Sequence, residues 1–242
     1  MNFKLTSKYL DDLNDKLEDG SIAEVISDFQ ELHPADVAEI LDELKIDNVQ
    51  SILAEYPEEE RADILIELDD EVRAKVLEET TGKDIAVTLV DNLDSDDAAD
   101  IIGELSEEKK REVFTHIEDR EQAQEIASLL THAEDTAGAL MATELIQVNE
   151  NWTVLTCVKE MRKQAEDVDK VHAVYVVDDA GILLGSLSLK KLLTTSTKTP
   201  IGEIYEKKIQ SVKTNTPDEE VAILMSKYDL FVIPVIDDFG TL

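Results

Sequence analysis

The sequence predicts a multidomain protein in which an all-α superhelix of short helices precedes an α+β pair of repeated modules. Two observations predict this division. Residues 1–135 contain 40 acidic and 12 basic side chains, a net charge of −28, whereas residues 136–242 contain 16 and 11, a net charge of −5. Runs of β-branched and aromatic residues typical of strands occur only after this change in composition. We therefore expect domains over 1–135, 136–199 and 200–242.

The first domain is predicted to be helical because its apolar residues recur at helical spacing in segments of about ten residues. A weak repeat supports stacked helix pairs that bury one another's apolar faces: AEILDEL at 38–44, ADILIEL at 62–68 and ADIIGEL at 99–105. Pro34 and Pro57 stand at acidic helix starts, where a missing N–H costs little. The pattern favours an all-α domain.

The second half of the chain contains one pattern twice. A helix leads into an apolar strand and an Asp-Asp-x-Gly turn, first at 152–181 and again at 218–240. The glycine supplies the positive φ of the turn, and the aspartates bond to its backbone. A further strand and helix follow the first copy, whereas the sequence stops at Leu242 before their counterparts. The second module is therefore expected to be incomplete at its C-terminus.

Composition excludes several classes of function. A formal charge of −33 repels nucleic acid and anionic lipid, so no nucleic-acid partner is expected. The longest apolar runs have about five residues, whereas a membrane-spanning helix needs about 20. The sequence has no glycine-rich phosphate loop, H-E-x-x-H motif or nucleophile motif, so we expect no enzymatic activity. The single cysteine, Cys157, is expected in the core.

One pair of carboxylates is a candidate for cation binding. Asp96 and Asp100 stand four residues apart on one predicted helix face, where like charges repel. A hard cation such as Mg²⁺ prefers oxygen ligands and would relieve this repulsion. Alternatively, the helix dipole stabilises Asp96 and water solvates Asp100. The pattern leaves both interpretations open.

A second acidic segment, Thr216-Pro217-Asp218-Glu219, has the spacing of a helix capping box. In that interpretation the Thr216 hydroxyl caps the helix and Glu219 reaches back to its N–H. We favour this structural role over a metal-binding one for the segment.

Several motifs together resemble the cytosolic part of the MgtE-family magnesium transporters. They are LHPADVAEILDEL at 32–44, DDAADIIGEL at 96–105, EDTAGALM at 134–141, and the doubled YVVDDAG and PVIDDFG at 175–181 and 234–240. The resemblance implies an all-α right-handed superhelix of short helices followed by an α+β tandem CBS-domain pair. It also implies a homodimer formed through the CBS domains, on the cytoplasmic face of the membrane, preceding the transmembrane pore of the full-length protein.

The resemblance further implies a Mg²⁺ sensor, in which ions bound between the helical and CBS domains favour a compact, closed state. The residues that match the family's Mg²⁺ ligands are Asp63, Asp96, Asp100, Gly138, Glu219, Ser226 and Asp229. Gly138 and Ser226 would contribute backbone oxygens, and Glu219 is the weakest match.

Some CBS pairs bind ATP in the cleft between their modules, with an acid holding the ribose. Here Lys191 stands at the position of that acid, which argues against ATP; a bound nucleotide would be flanked by Tyr175 and Leu230. The alternative function is an acidic helical scaffold for a protein partner, with a CBS pair that senses adenine nucleotides. The sensor requires Asp63, Asp96, Asp100 and Asp229, whereas the scaffold does not.

Overall fold

The computed structural model describes residues 3–242 except 167 and 169. The chain divides into two compact units, Met1–Gln124 and Glu125–Leu242. The first is helical and the second combines helices with short strands, which is the predicted order of fold types. The predicted domain bounds at 135 and 199 stay predictions. No helix in the described part of the chain is both long and apolar enough to cross a membrane.

The first unit is built from short helices, as the apolar spacing predicted. Their bounds are α1 Ser7–Glu18, α2 Ile22–Phe29, α3 Pro34–Asp42, α4 Ile46–Leu53, α5 Glu58–Glu67, α6 Asp70–Glu79, α7 Gly82–Ile85, α8 Ser95–Glu104 and α9 Glu107–His116, and α10 Arg120–Leu129 runs across the division between the units. Pro34 is the first residue of α3, and the His33 ring caps that helix by accepting a hydrogen bond from the Ala35 N–H. Hydroxyls of Thr6, Thr81 and Ser106 cap other helices in the same way.

The sequence repeat corresponds to a structural repeat in the core. Its three copies lie in α3, α5 and α8, and the central apolar pair of each copy is buried: Ile40 and Leu41, Ile64 and Leu65, Ile101 and Ile102. Alternate helices pack together, α3 against α5 and α4 against α6. Each helix therefore completes the core of its neighbours, as expected of stacked helix pairs.

A π-helix over Ala86–Val90 continues α7, and no pattern in the sequence predicts it. Its side chains are largely buried, and both α5 and α8 pack against it. The Asn92 side chain donates to the carbonyls of Val87 and Thr88, which satisfies backbone groups at the end of this segment. The π-helix is thus a shared support for two repeat copies.

The second unit begins with a three-stranded sheet. Strands β1 Ile146–Asn149 and β2 Val174–Val177 are parallel, and β3 Leu183–Ser186 is antiparallel to β2. Helices α11 Val154–Gln164 and α12 Leu189–Thr194 supply apolar residues to its core, where Cys157 is fully buried as predicted.

The second module repeats this pattern in reduced form. It contains strands β4 Val212–Lys213 and β5 Val235–Ile236, which are parallel, and helix α13 Asp218–Tyr228 between them. The strand predicted within 231–240 is therefore only two residues long. Pro234, which precedes it, has no N–H to donate to a ladder, and this limits pairing at that position.

Candidate functional site

The acidic candidates of the first unit form a stripe along α8. Asp96, Asp100 and Glu104 follow one another at intervals of four residues, so they share one face of the helix. The pKa of Asp100 is raised, first by partial burial and then by the negative charges of Asp96 and Glu104, while Arg73 lowers it. The repulsion inferred from the sequence spacing is therefore present in the fold.

Asp63 occupies the same position in the repeat as Asp100. Each is the second residue of its copy, and each is partly exposed to solvent while the following residue, Ile64 or Ile101, is buried. The helices that carry them, α5 and α8, pack against the same π-helix. The repeat thus presents two of the predicted Mg²⁺ ligands from equivalent helical positions. This equivalence is readable from the alignment of the repeat copies in the sequence.

Within the described residues, no three Asp, Glu, His or Cys side chains are grouped as they would be around a metal ion. The assignment of Asp63, Asp96 and Asp100 as ligands stays a prediction.

Gly138 in the second unit is buried at a close backbone contact. Its N–H donates to the Thr214 carbonyl at 2.8 Å, and the Ala137 N–H donates to the Thr216 carbonyl at 2.8 Å. A Cβ at Gly138 would lie 2.7 Å from the His132 ring and 2.9 Å from the Thr214 oxygen, so only glycine fits. The family resemblance pointed to Gly138, whereas no pattern in the sequence indicates His132 as its packing partner.

The capping box predicted at 216–219 is wrong. Helix α13 begins at Asp218 with Pro217 at its N-cap, and Pro217 makes no side-chain cap bond. The Glu219 N–H donates to the Asp218 carboxylate at 2.6 Å instead of being reached by Thr216. The Thr216 hydroxyl instead accepts a hydrogen bond from the Lys213 N–H at 3.0 Å, and this bond closes the turn that precedes the helix. Glu219 is exposed in the first helical turn.

The remaining predicted ligands lie at the other end of α13. Ser226 is exposed in its last turn, and Asp229 is the C-cap in the left-handed conformation, with φ of 53°. Ten residues of helix separate Glu219 from Asp229, about 15 Å at the helical rise. Ser226 and Asp229 are therefore neighbours at one end of α13, and Glu219 lies at the other end. One ion does not bind all three.

A cavity of about 620 Å³ lies within the second unit. Its wall is mainly apolar and includes Tyr175, whose pKa is raised by burial. The rings of His172 and Phe231 are in contact at the cavity, with centroids 5.4 Å apart. Thr143 also lines it, and its hydroxyl is buried with no hydrogen-bond partner among the described residues. Leu230 and Lys191 are outside the lining residues, where Phe231 stands instead of Leu230.

Family models match most of the chain. Residues 32–135 match the MgtE intracellular N domain, and residues 137–197 match the CBS domain. The magnesium transporter MgtE of Thermus thermophilus is 40% identical over 124 residues, and that of Enterococcus faecalis is 35% identical over 117 residues. These matches cover 51% and 48% of the chain, but only 28% and 26% of the relatives, so the chain spans about a quarter of their length.

Two solved structures match nearly the whole chain. The cytosolic domain of the Mg²⁺ channel MgtE in complex with ATP is 31% identical, with a TM-score of 0.82, and the match covers 96% of this chain and 94% of that one. The soluble part of a magnesium transporter is 26% identical, with a TM-score of 0.78, and the match covers 97% and 92%.

The fold and these matches define an acidic helical domain joined to a CBS pair, which confirms the predicted fold class. The chain belongs to the MgtE family of magnesium transporters and corresponds to the family's cytosolic domain.

Proposed function

We propose that this chain is the Mg²⁺-sensing regulatory part of a magnesium transporter, located on the cytoplasmic face of the membrane. Mg²⁺ binds Asp63, Asp96 and Asp100 of the helical domain and Gly138, Ser226 and Asp229 of the CBS pair, with Glu219 as a further ligand. Bound Mg²⁺ favours a compact, closed state of a homodimer whose pore lies in the rest of the full-length protein. The role is regulatory, without catalysis.

The observation that carries this proposal is the electrostatic state of α8. The carboxylate of Asp100 ionises against partial burial and against the charges of Asp96 and Glu104. A divalent cation beside this stripe would offset most of its negative charge, and Mg²⁺ commonly binds through one or two carboxylates while it keeps several waters. The net charge of −28 over residues 1–135 adds long-range attraction for cations.

Thermal unfolding with and without Mg²⁺ tests the proposal. A ligand that binds only the folded state stabilises it by about 2.7 kcal/mol at a concentration of one hundred times Kd. Mg²⁺ should raise the unfolding midpoint of the parent chain, and Asp96→Asn with Asp100→Asn should remove most of this rise.

The matched control is Asp11→Asn with Asp15→Asn, which removes the same charge from an exposed pair four residues apart on α1. This control should keep the parent's response to Mg²⁺. Equal losses in the two double variants would contradict the assignment of Asp96 and Asp100 as ligands.

Adenine-nucleotide binding by the CBS pair is a second candidate function, favoured by the cavity of the second unit. The relative of known structure most similar in fold among those described above was solved in complex with ATP. The cavity offers aromatic rings for stacking and the Thr143 hydroxyl for a hydrogen bond. We expect no ribose contact from Lys191, which lies outside the cavity lining.

Calorimetric titration with ATP and with GTP tests this second function. ATP should bind with measurable heat, and Thr143→Val should weaken its binding by roughly 2- to 13-fold, because a hydrogen bond is worth about 0.5–1.5 kcal/mol. Thr156→Val, at an exposed helix position away from the cavity, is the control. Absence of heat with both nucleotides, or equal binding of ATP and GTP, would contradict a specific adenine-nucleotide function.

A further inference from the structure

Arg73 on α6 is a buried cation with an unusually complete set of hydrogen bonds in an otherwise acidic unit. Only 7% of the residue is exposed. Its Nε and Nη2 donate to the two carboxylate oxygens of Glu104, at 3.1 and 2.5 Å, and Nη2 also donates to Asp70 at 2.6 Å. Its Nη1 donates to the carbonyls of Leu68 and Ile66, at 2.8 and 3.2 Å.

These hydrogen bonds join three helices through one side chain. Ile66 and Leu68 are at the C-terminal end of α5, Asp70 is the first residue of α6, and Glu104 is the last residue of α8. A planar guanidinium can make all these bonds at once, because its donors form a rigid fork that a lysine ammonium does not provide. We call this set of bonds the Arg73 clamp.

The clamp lies next to predicted ligands on two of the three helices that it joins, α5 and α8. Ile66 follows Asp63 by three residues on α5, and Glu104 follows Asp100 by four residues on α8. Each interval is about one helical turn, roughly 5 Å along the axis. A change in the clamp would therefore reach Asp63 and Asp100 through a single rigid turn of helix.

We propose that Arg73 is the positioning residue of the Mg²⁺ sensor. It fixes α5 relative to α8, and with these helices it fixes the positions from which Asp63 and the Asp96–Asp100 pair bind Mg²⁺. The positional claim concerns the helices alone, whereas its effect on Mg²⁺ rests on the proposed function. Groups that orient metal ligands from outside the coordination shell commonly change metal affinity by about 10–100-fold.

Spin labels on the two helices test the positional claim without any Mg²⁺. Cysteines replace Glu60 on α5 and Gly103 on α8, both exposed. Cys157 needs no replacement, because burial raises the pKa of its thiol to about 11 and keeps it unreactive toward the label. The distance distribution between the labels should be narrow in the parent and clearly broader, or shifted, in Arg73→Lys.

Two further variants make the distance measurement decisive. Glu104→Gln removes the charge of the partner but keeps its shape, and should change the distance distribution as Arg73→Lys does. If Arg73→Lys does not fold, Glu104→Gln provides the test. Val25→Ala removes buried side-chain volume from α2 and controls for a general loss of stability. A parent-like distribution in folded Arg73→Lys, or equal broadening in Val25→Ala, would overturn the proposal.

A Mg²⁺ titration of the same variants tests the functional consequence. The response measured is the rise of the thermal unfolding midpoint with Mg²⁺. The Mg²⁺ concentration that gives half of the maximal rise should increase by about tenfold or more in Arg73→Lys and stay at the parent value in Val25→Ala. A broadened distance distribution with an unchanged Mg²⁺ midpoint would overturn the positioning role. If the parent itself gives no response to Mg²⁺, the sensor function fails, while the label distances still decide whether Arg73 fixes the two helices.

Discussion

Asp100 is a carboxylate that the fold makes difficult to ionise. Partial burial raises its pKa above the ordinary value of 3.8, and the charges of Asp96 and Glu104 raise it further. Because a raised pKa means that the folded state binds the proton more tightly than the unfolded chain does, ionisation of Asp100 costs stability. The cost is absent well below pH 3.8, grows as the pH rises from 3.8 to the folded-state pKa, and is fully present above it. Such a residue suits a sensor, since its ionised form is stabilised when a cation arrives.

This pH dependence gives a prediction for Asp100→Asn. At neutral pH without Mg²⁺ the variant should be more stable than the parent by a few tenths of a kcal/mol, the usual size of a like-charge effect on one helix face. The gain should vanish at about pH 3, where Asp100 is protonated in both states. Urea unfolding followed by far-UV circular dichroism measures both values.

Asp15→Asn on α1 controls for the change in net charge alone. With Mg²⁺ present, the parent should become more stable than Asp100→Asn, because only the parent keeps the Asp100 carboxylate that binds the ion. A stability gain in Asp100→Asn that persists unchanged at about pH 3 would show that repulsion at Asp100 is not its cause.

At the scale of elements, the short helices were predictable from the sequence because each carries its own apolar face. Ile40, Ile64 and Ile101 stand at the same position of the repeat and are buried in the same way. The π-helix over Ala86–Val90 was not predictable, because an apolar run gives no indication of a one-residue change in hydrogen-bond spacing. The prediction of a Thr216 capping box was wrong because the Thr216 hydroxyl accepts from the Lys213 N–H, in the turn before α13, and not from an N–H of the helix.

The doubled turn shows what a sequence repeat can predict and what it cannot. Asp178 and Asp237 each accept hydrogen bonds from the N–H groups of their own turns, as their shared motif predicted. The Thr241 N–H is the main reason why the pKa of Asp237 is lowered. The second turn also bonds to the strand that follows the first, from the Leu183 N–H of β3 to the Gly240 carbonyl at 3.0 Å. That pairing needs the folded chain, since nothing local specifies it.

The candidate site was predictable only in part, for the same reason. Helical spacing identified Asp96 and Asp100 because they belong to one element, and the repulsion between them follows from that element alone. The Arg73 clamp was missed because its partner Glu104 lies 31 residues away in the sequence. Likewise, the packing of His132 against Gly138 depends on the folded backbone, and no motif signals it.

For the whole molecule, the uneven distribution of charge is the property that matters most. Most of the net charge of −33 belongs to residues 1–135. Folded domains with such an excess repel other acidic surfaces, and the repulsion decreases when divalent cations bind between them or when salt screens it. A Mg²⁺ sensor must respond to the binding of divalent cations at concentrations where screening by salt is negligible. This distinction separates specific Mg²⁺ binding from general screening.

Small-angle X-ray scattering during a Mg²⁺ titration, beside a sodium chloride titration at matched ionic strength, tests the central claim most directly. We expect the radius of gyration of the chain to fall at millimolar Mg²⁺, before sodium chloride of equal ionic strength has any effect. The variant with Asp96→Asn and Asp100→Asn should respond to ionic strength alone. If the two salts reduce the radius of gyration equally in the parent chain, the acidic residues are a solvated surface and the chain is not a Mg²⁺ sensor by itself.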